Sequence, residues 1–128
     1  MTTPMLYIAG PYRGMAHDWR SYMQIDRHIA NAREAAAWCA THGLDFFCPH
    51  LHSAHFEVIA PTATDQYWYA LDMRFLEICT GMLLLEGWER STGARRELAV
   101  MTNKGRPSFV FPSQCQDVLD AFAVHPEE

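Results

Sequence analysis

The chain has no CxxC pair, no apolar run approaching membrane length, no excess of basic charge, and neither a GxGxxG nor a GxxxxGK[ST] glycine loop. Each absence removes a class of function. Cys39, Cys48, Cys79 and Cys115 lie far apart, which excludes a zinc ribbon or a thioredoxin-type redox motif and leaves reduced, mostly buried thiols as the expectation. The apolar runs fall well short of the ~20 residues that a membrane helix needs. The first residues carry no basic region, apolar core and small-residue cleavage site of a signal peptide, so the expectation is a cytoplasmic protein with no membrane partner. A net charge of −5 argues against a nucleic-acid polymer as partner, because sequence-independent affinity for one comes from clustered Lys and Arg. Without the two glycine motifs there is no dinucleotide fingerprint and no Walker phosphate loop. Internal repeats and low-complexity segments are missing as well.

What is present fits one globular domain: 128 residues, 49% hydrophobic and 20% charged. The domain is expected over 1–124, with 125–128, "HPEE", as an acidic tail. Four short apolar runs, Met5 to Ala9, Leu44 to Cys48, Met82 to Glu86 and Ser108 to Phe111, alternate with helical patterns. That alternation predicts an α/β fold, a single-domain flavodoxin-like or Rossmann-like sandwich with a mainly parallel sheet in strand order 2-1-3-4. Tyr22, Ile25, Ile29, Ala32, Ala36 and Ala40 recur at steps of three and four, predicting a helix from Trp19 to His42 that ends at Gly43. Pro49 to Thr64 reads as a loop, Asp65 to Cys79 as a second helix, and Gln114 to Ala123 as a short last one. A third helix starts at Ser91 or Thr92 and stops before Gly105-Arg106-Pro107.

In such sheets ligands bind beyond the carboxyl ends of the strands where the order reverses, here between strands one and three. Two loops meet there, Gly10-Pro11-Tyr12-Arg13-Gly14 and Gly87-Trp88-Glu89-Arg90-Ser91-Thr92-Gly93. Glycines let backbone N–H groups approach an anion, a helix amino terminus adds partial positive charge, and Arg13 offers a bidentate fork. Gly10, Arg13, Gly14, Ser91 and Gly93 are therefore candidate binding residues. Trp88, directly after strand three, is the candidate pocket wall, while Trp68 on an apolar stripe reads as core. His50, His52 and His55 in "PHLHSAHF" lack a defined ligand geometry, so no metal site is expected from them, and the loop is expected to line the pocket or stack on a base.

Two carboxylates face inward. In the third helix Ala94, Leu98 and Met101 set the apolar face, and at about 100° per residue Glu97 falls within roughly 60° of its centre, with Arg95 and Arg96 directed elsewhere. In the second helix Asp72 sits inside the stripe of Trp68, Leu71, Phe75 and Cys79. Inward carboxylates are costly unless paired or used. A structural account pairs Asp72 with an arginine or helix terminus and Glu97 with Tyr7. The chemical account is glycosidic-bond cleavage, in which one carboxylate attacks or stabilises the anomeric carbon while the other handles protons.

Three segments, "LYIAGPYRG" at 6–14, "DQYWYALDMRFLEICTGMLLL" at 65–85 and "STGARRELAVMTNKGRP" at 91–107, give the chain a resemblance to the nucleoside 2-deoxyribosyltransferase-like superfamily. That group includes 2'-deoxynucleoside 5'-phosphate N-hydrolases and CMP hydrolases. The resemblance implies Glu97 as nucleophile on C1', Asp72 as the acid that assists departure of the base, and Tyr7 beside the nucleophile. It also implies a 5'-phosphate held by the first loop and the serine-glycine turn, where Arg13, Gly14, Ser91 and Gly93 stand. Pro11 departs from that branch, which often has a serine there. The implied activity is N-glycosidic cleavage of a nucleoside 5'-monophosphate or nucleoside through a glycosyl-enzyme intermediate. No cofactor is implied, the partner is a small nucleotide or nucleoside, and the assembly is a homodimer or larger homo-oligomer. The same motifs serve base exchange by deoxyribosyl transfer, and a non-catalytic nucleotide-binding or sensing domain. A receiver-type signalling domain is disfavoured because Gly10-Pro11-Tyr12 replaces the acidic pair that would hold magnesium.

Overall fold

In the computed structural model, residues 4–13 and 20–122 are described. The apolar run Met5–Ala9 forms β1 and Gly81–Leu84 forms β3, both buried on two faces, as central strands of a helix-covered parallel sheet must be. Asp45–Phe47 (β2) and Ser108–Val110 (β4) are the shorter, half-exposed edges. The sheet is wholly parallel in the order β2-β1-β3-β4, with Leu6 beside Phe46, Tyr7 beside Met82 and Leu83 beside Phe109. The fold is therefore an α/β, flavodoxin-like or Rossmann-like domain. Three strands are shorter than the apolar runs suggested. Cys48 leaves the sheet to precede the next helix, Phe111 follows β4 still bonded to the Leu84 carbonyl, and Leu85 follows β3 still bonded to the Ala9 carbonyl at 2.8 Å.

Helix α1, Arg20–Thr41, covers one face. Its buried line runs through Ile25, Ile29, Ala32, Ala35, Ala36 and Cys39. Tyr22 and Ala40, assigned to that stripe from the sequence, are exposed, because the contact line drifts toward Ala35 and Cys39 along a helix this long. Gly43 follows in the left-handed region at φ 70°, where a side chain would be strained. The predicted start at Trp19, the end of the last helix at Ala123 and the acidic tail lie outside the described residues.

The predicted loop after β2 contains two short helices, α2 (Pro49–His52) and α3 (Phe56–Ile59). Proline at the first turn of α2 costs nothing, since that N–H has no intrahelical acceptor. Helix α4, Asp65–Ile78, is capped by Thr64, whose Oγ1 accepts from the Tyr67 N–H at 3.1 Å. Trp88–Arg90 is a single 3-10 turn, and α5 (Thr92–Asn103) and α6 (Cys115–Phe122) complete the fold. No described helix is long and apolar enough to cross a membrane.

The two-residue period of β1 decides the chemistry to come. Leu6 and Ile8 join Leu83, Leu85 and the α1 alanines in one core layer, while Tyr7 and Ala9 join Met82, Leu84, Leu76 of α4 and Ala94 and Met101 of α5 in the other. Tyr7 is thereby aimed between α4 and α5.

Candidate active site

Beyond the carboxyl ends of β1 and β3 lies a cavity of about 950 Å³. Its walls come from the loop after β1, from α2 and α3, from Trp68, Tyr69 and Asp72 of α4, and from the turn after β3 running into α5.

At its base Tyr7, fully buried, donates its hydroxyl to Glu97 Oε2 in a short hydrogen bond. Both Glu97 and Asp72 line the cavity. Burial pushes Glu97 up to about 7; repulsion from Asp72 adds to this, while the Tyr7 hydrogen bond and the Arg96 charge act the other way. Asp72 is pushed up to about 6 by burial, and its Oδ1 is buried with no hydrogen-bond partner among the described residues. Tyr7 is held well above the usual phenol range by burial and by the two carboxylates, so it remains a donor. The charge of Asp72 is felt at Glu97, and burial holds both carboxyls closer to neutrality than free ones. The hydroxyl that Tyr7 donates to Glu97 favours the Glu97 anion, the form a nucleophile needs, against the burial that disfavours it.

Leu76 is the buried residue of α4 and Cys79 follows it as the buried cap, while Trp68, Leu71, Asp72 and Phe75 are all half-buried. Asp72 lies within that stripe, as the sequence indicated, and faces the cavity. Trp68 lines the cavity, with Phe56 edge-on at 5.4 Å, whereas Trp88 is half-buried against the core layer of Tyr7 and Leu84 and is not among the lining residues. The two tryptophans have exchanged their expected places. The 3-10 turn that rolls Trp88 back over the sheet, closed by the Ser91 N–H on the Trp88 carbonyl, is the reason.

Gly10 lies where a Cβ would come within 2.7 Å of Leu85 Cβ, so the close crossing of the loop over β3 requires glycine. Gly87, at φ 88°, passes Pro11 closely. Ser91 caps α5, its Oγ accepting from the Ala94 N–H at 3.1 Å. The N–H groups of Thr92 and Gly93 belong to the first helical turn, which supplies them no acceptor, and a Cβ at Gly93 would meet only Ser91 Oγ, at 4.0 Å. With Arg90 on the same wall, that end suits an anion. Arg13 lines the cavity and forms an exposed ion pair with Asp65 at 3.1 Å; Gly14 lies outside the described residues.

The loop after β2 lines the cavity as expected, through His50, Phe56 and Glu57, while Arg96 and His28 escaped the sequence reading. Arg96, expected to point elsewhere, lines the cavity and stacks over the Tyr69 ring with its guanidinium carbon 3.9 Å from the centroid. One step of about 100° separates it from Glu97, and its long stem reaches back across that angle. His50, buried on α2, donates from Nε2 to the Pro11 carbonyl at 2.8 Å, and burial lowers its pKa and keeps it neutral. His28 donates from Nδ1 to the Tyr12 carbonyl at 2.9 Å. With two successive carbonyls held by rings, the peptide N–H groups of Tyr12 and Arg13 are turned the opposite way. Tyr12 itself donates to Glu57 Oε2 at 2.9 Å and accepts from the His55 N–H at 2.8 Å. The histidines of "PHLHSAHF" are dispersed: His50 on that carbonyl, His52 against Phe47 and Phe75, His55 beside Asp26 at 3.3 Å. No short-range pattern marks Glu57 or His28, since their partners lie on other elements. The four cysteines are free thiols.

Residues 4–113, most of the chain, match the model of the family described as domain of unknown function DUF1937, and the chain belongs to that family. No curated protein matches it.

Proposed function

We propose that this DUF1937 protein is an N-glycosidase that cleaves a nucleoside 5'-monophosphate or nucleoside, releasing free base. The observation that carries the reading is the pair of cavity-lining carboxylates with raised proton affinities, one of them held by a buried tyrosine. Cavity-lining carboxylates whose proton affinities are shifted by burial are the kind of group that serves as nucleophile or general acid. The resemblance of the three sequence segments to the nucleoside 2-deoxyribosyltransferase-like superfamily supports the same roles.

In the proposed reaction a Glu97 carboxylate oxygen attacks C1', the bond from C1' to the base nitrogen breaks, and the Asp72 proton passes to the departing base. Asp72, now ionised, takes a proton from water as the water oxygen attacks C1', and Glu97 leaves as carboxylate. Tyr7 orients Glu97 and steadies its charge. Arg90 and the first turn of α5 offer the positive end for a phosphate, and Arg13, paired with Asp65, lines the same cavity. A second base in place of water turns the same steps into transfer. The homo-oligomer implied by the resemblance is part of this proposal. Exposed Val58, Ile59 and Tyr67, which flank cavity residues on α3 and α4, support it, and light scattering measures it.

The test is a panel of ribo- and deoxyribonucleosides and their 5'-monophosphates, incubated with and without an acceptor base and analysed for free base by chromatography. Base release that Glu97→Gln abolishes is expected. No release from any substrate, with ligand affinity unchanged in Glu97→Ala, overturns the reading; binding without turnover assigns a sensing domain instead.

A further inference from the structure

We infer, on the basis of that glycosidase reading, that Tyr12, Phe56, Glu57 and Trp68 form the nucleobase lobe of the cavity and that Glu57 selects bases bearing an exocyclic amino group. A departing base must lie beside its proton donor, Asp72. One turn earlier on α4 is Trp68, which lines the same cavity. Phe56 meets Trp68 at an interplanar angle of 90°, so the two rings form an apolar corner with aromatic faces against which a planar heterocycle packs. The positive end, at Arg90 and the start of α5, belongs to a different wall, which orients a nucleotide with its phosphate there and its base toward α3 and α4.

Glu57 follows Phe56 on α3 and lines the cavity. One of its oxygens is tied to Tyr12, whose hydroxyl is pinned in turn by the His55 N–H. The other, Oε1, is buried without a hydrogen-bond partner among the described residues, and His55 Nδ1, at 3.9 Å, is beyond hydrogen-bond reach. A buried oxygen left without a donor is costly, and a ligand N–H that supplies one is bound correspondingly well. Glu57 lines the cavity and the last torsion of glutamate is broad, so rotation about it is the route by which Oε1 meets a ligand N–H. An ionised carboxylate only accepts. It therefore binds an amino group and repels the carbonyl oxygen that replaces it in the oxo counterpart of the same base.

The experiment uses the full chain carrying Glu97→Gln, so that binding is read without turnover, and the isosteric pairs AMP and IMP, CMP and UMP by calorimetry. Tighter binding of the amino member, by roughly 10- to 100-fold in at least one pair, is expected. Adding Glu57→Gln, which keeps an acceptor for Tyr12 and presents a donor to the base, should erase or reverse that preference. Equal affinity for amino and oxo members, or a preference unchanged in a folded Glu57→Gln protein, overturns the inference. If Glu57→Gln does not fold, Tyr12→Phe, which frees the carboxylate to swing, should lower the discrimination several-fold; unchanged discrimination again overturns it. Failure here separates from failure of the glycosidase reading. Base release from wild type at equal kcat/KM for amino and oxo nucleotides removes the role of Glu57 and leaves the enzyme, whereas amino preference with no base release keeps the lobe and removes the enzyme.

Discussion

Replacing Glu97 with glutamine isolates the energetic cost of holding a carboxylate at the base of this cavity. Its proton affinity rises from the ordinary 4.5 to about 7, chiefly because burial disfavours the charge. A difference of that size corresponds to about 3 kcal/mol between the two protonation states. The folded state binds the proton more tightly than the unfolded chain does, so the stabilisation is complete below about pH 4.5 and is lost as pH rises through about 7. Glutamine keeps the shape and an acceptor for Tyr7 but never ionises. At about pH 8.5 the Glu97→Gln protein should therefore gain about 3 kcal/mol over wild type relative to the difference between them at about pH 4.5. For a chain of this length that is roughly a 10 °C rise in Tm. Thermal or urea unfolding of both proteins at the two pH values measures it. A gap that does not widen between the acidic and the alkaline condition would refute the claim that burial governs this carboxylate. Activity should fall as stability rises, the signature of a group kept in a costly state for chemistry.

Asp72→Asn should slow base release by about 10²- to 10⁴-fold while raising stability above about pH 6, where the wild-type carboxylate must ionise in a buried setting; stopped-time chromatography and unfolding curves read the two effects. Tyr7→Phe removes the hydrogen bond that lowers the Glu97 pKa, so the acidic limb of the pH–rate profile should move upward, and an unmoved limb would disprove that tyrosine steadies the anion. Gly10→Ala should destabilise the fold by about 1–3 kcal/mol through the clash with Leu85, measured by urea unfolding. Gly93→Ala has room and should leave stability level or slightly raised, yet weaken the binding of 5'-monophosphates relative to nucleosides by covering the start of α5.

The inward set of Glu97 was legible from a short-range period, and the parallel sheet and its strand order from the alternation of strand and helix patterns together with the right-handed crossover rule. Alternation of four apolar runs with helical patterns dictates the layers, and Glu97 lies within roughly 60° of the centre of the face that Ala94, Leu98 and Met101 set. The α1 stripe was legible in its middle and wrong at its ends, since sequence periodicity does not say where a long helix leaves the sheet. Trp68 and Trp88 were assigned the wrong way round because the direction of Trp88 is set by a 3-10 turn after Gly87, which no apolar pattern announces. Arg96 was misplaced because an angular reading of a helix ignores how far a long side chain bends toward an aromatic ring on the neighbouring helix.

By itself, then, the sequence determined an α/β domain with a parallel sheet and two carboxylates turned inward, because periodicity and turn chemistry act over a few residues. Only the tertiary structure decided that Tyr7 of β1 meets Glu97 of α5 across 90 positions, that Asp72 joins them from α4, and that Tyr12 and Glu57 close the far lobe. Those encounters depend on how helices seat on the twisted sheet, and the desolvation that raises both carboxylates exists only once the layers have closed over them.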